Sequence, residues 1–326
     1  MTTNPFPNPA LQQQAKGQQR KREKRDVHGW VILDKPVGMT STHAVAVIKR
    51  LFTAKRAGHA GTLDPLASGL LPLALGEATK TVPFVMDGRK RYRFTVRWGE
   101  ERDTDDAEGR VVAASDERPT ADAIRACLPA FTGTIAQVPP KFSAIKIEGA
   151  RAYDLAREGE VVELESRPVR IERLTLIDAP DPDTASFEAR CGKGTYVRAL
   201  ARDMGRALGC LGHLTALRRT VVSPFDEAQA VTLEALEAAA REGGEEALLR
   251  LLLPIEAALQ GLAELSVGQN DAARLLRGQT VLIRGRDAPT STGPTYATCK
   301  GHLIAVGRIE KGELHPTRVF NFSNTG

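Results

Sequence analysis

The chain has 326 residues, 42% of them hydrophobic, and a formal net charge of +5. That length exceeds what one ordinary core supplies, so one large domain plus a smaller one is expected, and the lack of any run of about eighteen apolar residues argues against a membrane-spanning helix. Residues 1 to 25 carry six Lys or Arg against one Glu, which is the whole charge excess, while the rest balances at 39 basic against 39 acidic side chains; an anionic partner must therefore be met by local clusters and not by a global field.

The opening stretch MTTNPFPNPALQQQAKGQQRKREKR lacks the apolar centre of a secretory signal, so residues 1 to 25 read as a basic, solvated tail and a cytoplasmic location is expected. GWVILDKPVG (29–38) then predicts a short strand that breaks at a Pro-Gly turn. In TSTHAVAVIKRLF, Thr40, Ser41 and Thr42 offer N-caps, and Val45, Ile48 and Phe52 recur at helical spacing. KRYRFTVRWG (90–99) alternates Tyr92, Phe94 and Val96 with Arg91, Arg93, Thr95 and Arg97, the pattern of a half-buried strand with one basic face.

TADAIRACLPAF (120–131) predicts a short amphipathic helix, and QVPPKFSAIKIEG an extended segment, because each Pro biases its predecessor away from helix. SFEARCGKGTYVRAL reads as strand, glycine turn and helix, the helix carrying Arg198, Arg202 and Arg206 on one side. VTLEALEAAAREGGEEALLRLLL predicts a long Ala/Leu/Glu helical region. From about residue 260 the short runs TVLIRG, HLIAVGRIE and TRVFNF, separated by Gly, Pro and Thr, point to a small β-barrel appendage. Cys127, Cys191, Cys210 and Cys299 lie far apart without CxxC or His at ligand spacing, so free thiols are expected.

GHAGTLDPLASGLLPLALG holds a single charge, Asp64, the only charged side chain between Arg56 and Glu77. Two readings stand side by side. Asp64 followed by Pro65 suits an N-cap with Pro at the first helical position, whereas apolar flanks suit a reactive carboxylate, since a dry setting strengthens its polar contacts. His59 fits either a turn or a substrate contact. Tyr92 fits either core packing with its hydroxyl at the rim or a platform for an unstacked base, and the neighbouring arginines favour the second. Gly192 and Gly194 allow a close backbone approach before Tyr196 and Arg198, and Arg198 would hold Asp64 ionised if the two met in an apolar pocket. The pairs and triplets Lys49-Arg50, Lys55-Arg56, Arg89-Lys90-Arg91 and Arg218-Arg219 together point to phosphate contacts.

In colinear order, LDKPVGMTS, RAGHAGTLDPLASGLLPLALGEATK, KRYRFTVRWG, DTDDAEG, VPPKFSAIKIEGARAYDLAREG, CGKGTYVRALARDMGRALG and HLTALRR span roughly residues 29 to 225. This series resembles the bacterial tRNA pseudouridine-55 synthases, the TruB family. The resemblance implies an α+β fold: a mixed, largely antiparallel sheet flanked by helices in a catalytic domain at 26–258, then a small β-barrel-like domain of the PUA RNA-binding type at 259–326. It implies Asp64 as the catalytic aspartate, His59 as the residue that helps displace the target base, and Tyr92 as the aromatic that stacks on it. Tyr196, Arg198 and Leu217 complete the pocket, Arg198 as partner of Asp64, and Lys35 with Pro36 supports the site. Two positions depart from the family pattern: Phe142 stands where PPxYSA has Tyr, and Arg102 replaces a Thr before DTxDAxG.

The activity so implied is the isomerisation of uridine 55 in the tRNA T-loop, at a base flipped out of its stack. The partner is then tRNA through its T-arm, without an obligate protein partner or a membrane. The absence of a heptad or self-complementary stripe leads us to expect a monomer. No metal-ligand set or nucleotide-binding glycine loop is present in the sequence, so no cofactor is expected. Two other readings compete: a non-catalytic RNA-binding or RNA-folding protein, and the related guide-RNA-dependent synthases, which share the aspartate motif.

Overall fold

The computed structural model describes residues 23–142, 146–147, 150–151, 164–283 and 292–322. Most of the basic tail and of SAIKIEGARAYDLAREG lies outside the described residues. In chain order the first elements are β1 (Gly29–Lys35), α1 (Ser41–Leu51), β2 (Ala57–His59), β3 (Ser68–Leu75), α2 (Val82–Asp87) and β4 (Lys90–Trp98). There follow β5 (Glu100–Arg102), β6 (Val111–Ala114), α3 (Ala121–Cys127) and β7 (Gly133–Gln137), then the two-residue strands β8 (Lys146–Ile147) and β9 (Ala150–Arg151). Next come β10 (Arg167–Asp181), β11 (Thr184–Cys191), α4 (Val197–Ala207), β12 (Gly212–Val222), β13 (Phe225–Asp226), β14 (Val231–Thr232), α5 (Leu233–Glu242) and α6 (Gly244–Leu249). The C-terminal part has β15 (Ala263–Ser266), α7 (Gln269–Leu276), β16 (Val281–Leu282), β17 (Gly293–Cys299), β18 (His302–Glu310) and β19 (Glu313–Val319).

Among the described residues the large sheet has ten strands, in the order β14-β1-β3-β12-β4-β11-β10-β7, with β13 beside β12 and β2 beside β3. Its β1–β14 and β3–β12 pairs are parallel and its other pairs antiparallel, so the expected mixed, largely antiparallel α+β fold is present. β4 alternates as predicted: Phe94, Val96 and Trp98 are buried while Arg93 and Arg97 are exposed. Those inward residues join Phe187, Leu200, Met204 and Ile48 in the main core, which α1 and α4 cover, and burial of such side chains contributes about 1.5–3 kcal/mol each. Helix α1 starts where expected, because Thr40 accepts the His43 N–H on its side chain.

The other face of β1 and β3, carrying Trp30, Ile32, Leu70 and Ala74, packs with Leu303, Val306 and Phe320 of the C-terminal part. There five strands in the order β15-β17-β18-β19-β16 curl into a half-barrel over a separate small core. Two expectations change. The long helical region splits into α5 and α6 at Gly243-Gly244, where Gly244 takes φ +61°. Helix α7 was not anticipated, since eight residues with only Ala272 and Leu275 buried leave a weak periodic signal.

Candidate active site

Residues 60–67 carry Asp64 from β2 into β3, and they are tied down from several directions. Ala60 N–H donates to Pro72 O at 2.9 Å. The buried Ser41 hydroxyl, at the first position of α1, donates to Leu63 O and accepts Leu63 N–H, both at 2.9 Å. Arg219, on β12 and 1% exposed, donates from Nε to Leu70 O at 2.7 Å, from Nη1 to Thr62 O at 3.2 Å and from Nη2 to Gly61 O at 3.1 Å. Asp64 does not cap a helix. Ala67 N–H returns to Asp64 O at 3.1 Å, closing a turn with Pro65 at its second position, and the chain enters β3 at once. The strand wins because SGLLPLAL is buried between β1 and β12. Gly69 permits that close fit: it has φ +100°, and a Cβ there would lie 2.2 Å from Arg219 O.

Arg198 is the second residue of α4. Its guanidinium is used in three directions: Nε donates to Asp64 Oδ2 at 2.9 Å, Nη1 to Thr104 O at 3.1 Å and Nη2 to Phe142 O at 3.0 Å. The side chain of Arg198 is 7% exposed and that of Asp64 33%. The carboxylate is therefore reachable from outside while the cation behind it is not. A second acid, Asp106, places Oδ2 at 3.7 Å from Arg198 Nε with its side chain 5% exposed; its Oδ1 accepts the Thr104 hydroxyl at 2.5 Å and Glu108 N–H at 3.1 Å. Asp106 is thus committed to the protein, and only Asp64 faces outward.

Of the other expected site residues, Lys35 and Tyr92 lie within electrostatic reach of Asp64. Lys35 is fully buried at the end of β1, with Nζ donating to Pro36 O and Met39 O, both at 2.8 Å. Burial pulls its pKa down to about 8, the Asp64 charge opposing that shift and Arg219 adding to it. Tyr92 lies on β4 opposite Arg219 in the β4–β12 ladder. Burial pushes its phenol pKa up, Arg219 opposes this, and the Asp64 charge is close enough to act on it. Leu217, also on β12 and opposite Phe94, is buried. Tyr196 precedes α4 with its backbone clamped by Gln137, which accepts Tyr196 N–H at 2.9 Å and donates to Tyr196 O at 3.1 Å. His59 is half-buried at the end of β2. A cleft of about 430 Å³ adjoins the Asp64 turn through Leu66 and Ser68; Leu217 and Thr95 also line it, with Arg93 and Arg218 among its cations.

A second set of ion pairs, undetected in the sequence, fixes the DTDDAEG loop to α4. Arg202 Nη1 meets Asp105 Oδ2 at 2.8 Å with both side chains 8% exposed, and Arg202 Nη2 donates to Val138 O at 2.8 Å. Burial raises the Asp105 carboxyl pKa to about 6 despite Arg202 and Arg198. One turn on, Arg206 binds Glu101 through both oxygens, at 2.5 and 2.7 Å. The arginine stripe of α4 therefore meets Asp64, Asp105 and Glu101 on successive turns, with Asp106 also beside Arg198 and Asp203 beside Arg202. Both departures from the family pattern are accommodated here. Phe142 acts through its carbonyl, and Arg102 Nη1 donates to Ala107 O and Gly109 O, both at 3.1 Å, across the loop.

The charge clusters divide. Arg219 and Lys90 point inward, Lys90 donating to Met86 O and to Gly88 O, so neither can meet a phosphate. Arg218 is held by Asp34 at 3.0 Å and Glu227 at 2.8 Å. Arg50, Arg56 and Arg93 are exposed, and Lys49 and Arg91 partly so.

The profile of the TruB family pseudouridylate synthase N-terminal domain matches residues 49–197, and that of the tRNA pseudouridylate synthase B C-terminal domain matches residues 198–260. A tRNA pseudouridine synthase B of Bradyrhizobium diazoefficiens is 67% identical over 95% of this chain and 90% of its own. Another from Agrobacterium fabrum is 59% identical over 94% of this chain and 98% of its own. Among solved structures, an H/ACA RNP bound to a substrate RNA containing 2'-deoxyuridine superposes with a TM-score of 0.70 at 25% identity, covering 91% of this chain and 86% of that one. Two family profiles that together span residues 49–260, with relatives of this identity and coverage, show that the chain belongs to the TruB family of pseudouridylate synthases.

Proposed function

We propose that the chain isomerises uridine 55 in the T-loop of tRNA to pseudouridine, with Asp64 as the reacting carboxylate and Arg198 as the cation that holds it. The tRNA pseudouridine synthase activity follows from the family and its high-identity relatives. The observation that carries the residue roles is the 2.9 Å contact between a buried guanidinium and a partly exposed carboxylate. The reaction breaks the bond from ribose C1′ to N1, turns the base, and rejoins it through C5 with loss of the C5 hydrogen. It is redox-neutral and needs an ionised carboxylate beside ribose and ring, whether that group attacks C1′, adds to C6 or removes a ribose proton. Arg198 pairs with that carboxylate and fixes its direction.

The remaining residues act on access. Extruding the target base costs a few kcal/mol of unstacking, offset by stacking on Tyr92 within a pocket that Leu217 and Tyr196 complete and that His59 opens by displacing the base. Lys35 anchors the loop after β1 and adds positive charge near Asp64. Exposed Arg50, Arg56 and Arg93, and the C-terminal module at 259–326, supply phosphate contacts. The chain works alone, as a monomer in the cytoplasm. The test is purified chain with an unmodified full-length tRNA transcript and no other macromolecule, followed by mapping of the product. Pseudouridine at position 55 is expected. Product only when a guide RNA is added, or tight binding with no product, would replace this reading by one of its competitors.

A further inference from the structure

We propose that Arg219 is a positioning residue for the reaction: from inside the protein it holds the Asp64 turn and the Tyr92 strand in one frame. This rests on the reading of Asp64 as the reacting carboxylate. At 1% exposure Arg219 cannot touch RNA, so the role differs from that of a phosphate-binding arginine.

Three independent observations converge on it. First, its three donors go to backbone carbonyls on both sides of Asp64: Gly61 and Thr62 before it, Leu70 after it. With Ser41 gripping Leu63 from α1, the turn is fixed at four residues and has little freedom left. Second, Arg219 is the register partner of Gly69 on β3 and of Tyr92 on β4, so one residue joins the exit of the Asp64 turn to the strand that carries the aromatic. The fit at Gly69 leaves no room for even a methyl group. Third, no carboxylate lies within ion-pair distance of Arg219 among the described residues. A buried cation without a counter-ion is costly, and a neutral donor could satisfy one carbonyl. What only a guanidinium supplies is three donor nitrogens in a fixed plane, reaching the two stretches on either side of Asp64 at once. Its charge also acts on the ammonium of Lys35 and the phenol of Tyr92, so the same group sets the field around the pocket.

Reacting groups displaced by about 1 Å lose on the order of a hundredfold in rate. Arg219→Lys keeps the charge but cannot span the three carbonyls. Under single-turnover conditions it is expected to lower the rate constant for pseudouridine formation by about 100-fold at full reaction amplitude, with the tRNA Kd within about threefold of wild type. A residue that merely stabilised the fold would instead leave a reduced amplitude at the wild-type rate constant. That result, or a loss confined to tRNA binding, would overturn the inference.

Should Arg219→Lys fail to fold, Gly61→Ala decides. Its Cβ has room, the nearest atom being Arg219 Nη1 at 3.8 Å, but an alanine resists the φ of +104° that aims the Gly61 carbonyl at Arg219. A fall of at least about tenfold in the single-turnover rate constant with unchanged binding is expected, and an unchanged rate constant counts against the inference. Asp64→Asn measured alongside separates the two levels. Product from Asp64→Asn removes the reading beneath this one, whereas an inactive Asp64→Asn with a fully active Arg219→Lys removes this inference alone.

Discussion

Replacing Arg198 by Lys keeps a positive charge behind Asp64 and removes the geometry. The arginine makes three hydrogen bonds, to Asp64 Oδ2, Thr104 O and Phe142 O, and the second carboxylate, Asp106, lies 3.7 Å away with its side chain 5% exposed. A hydrogen bond to a charged group contributes about 1.5–3 kcal/mol, but Asp64 is one-third exposed, so its share is reduced by solvent toward about 1 kcal/mol. A lysine ammonium reaches one or two of the acceptors and lets the carboxylate swing. Misplacement of the freed carboxylate adds about 1–2 kcal/mol to that share, and a total of about 2–3 kcal/mol should lower the single-turnover rate constant about 30- to 150-fold.

Arg198→Ala should fall further and also lose about 3–5 kcal/mol of stability, because Asp106 stays buried without its cation. The assay is tritium release from tRNA labelled at uridine C5, where the hydrogen must leave once C5 joins the ribose, run beside tRNA binding. Rate should be lost far more than affinity. Equal losses in rate and binding, or a wild-type rate in Arg198→Lys, would refute the role assigned to Arg198.

Other outcomes test the surroundings. Lys35 loses its proton near pH 8, and with it a charge facing Asp64, so turnover should fall along an alkaline limb centred there. Lys35→Met should show a lower plateau without that limb, and a persisting limb assigns it to another group. Because the folded-state value lies below that of the unfolded chain, the Lys35 ammonium costs about 3 kcal/mol below pH 8, a cost relieved as the pH climbs to 10.5; urea unfolding of wild type against Lys35→Met across that range reads it. Arg202→Met should destabilise by about 3–5 kcal/mol by leaving Asp105 buried and unpaired, with Arg202→Met/Asp105→Asn recovering part of the loss; a single variant as stable as wild type denies the clamp. Gly69→Ala should not yield folded protein, whereas Gly58→Ala, with open space around it, should melt like wild type.

Much of this was legible in the sequence, and the failures have a common cause. Period-two alternation placed Phe94 and Val96 inward and Arg93 and Arg97 outward, and the strand, glycine turn and helix around CGKGTYVRAL brought Arg198 to Asp64 as expected. Asp64-Pro65 was ambiguous because a helix cap and a β-turn ask for the same residues locally; the choice was made by the fit of β3 between β1 and β12, which is a tertiary fact. The pair Arg218-Arg219 looked like one cationic patch, yet neighbours on a strand face opposite ways, so one meets Asp34 and the other lies beneath the Asp64 turn. Lys90-Arg91 divides the same way. Asp105 and Glu101, which Arg202 and Arg206 bind, lie about a hundred residues away in sequence, where no local pattern can reach.

The central claim is that Asp64 performs the chemistry while the rest of the site holds and presents the uridine. Asp64→Asn keeps the size and the turn and removes the ionised carboxylate. Measured as single-turnover pseudouridine formation beside tRNA binding, it should bind tRNA like wild type and form no pseudouridine. Pseudouridine formed at a rate near that of wild type would contradict the account.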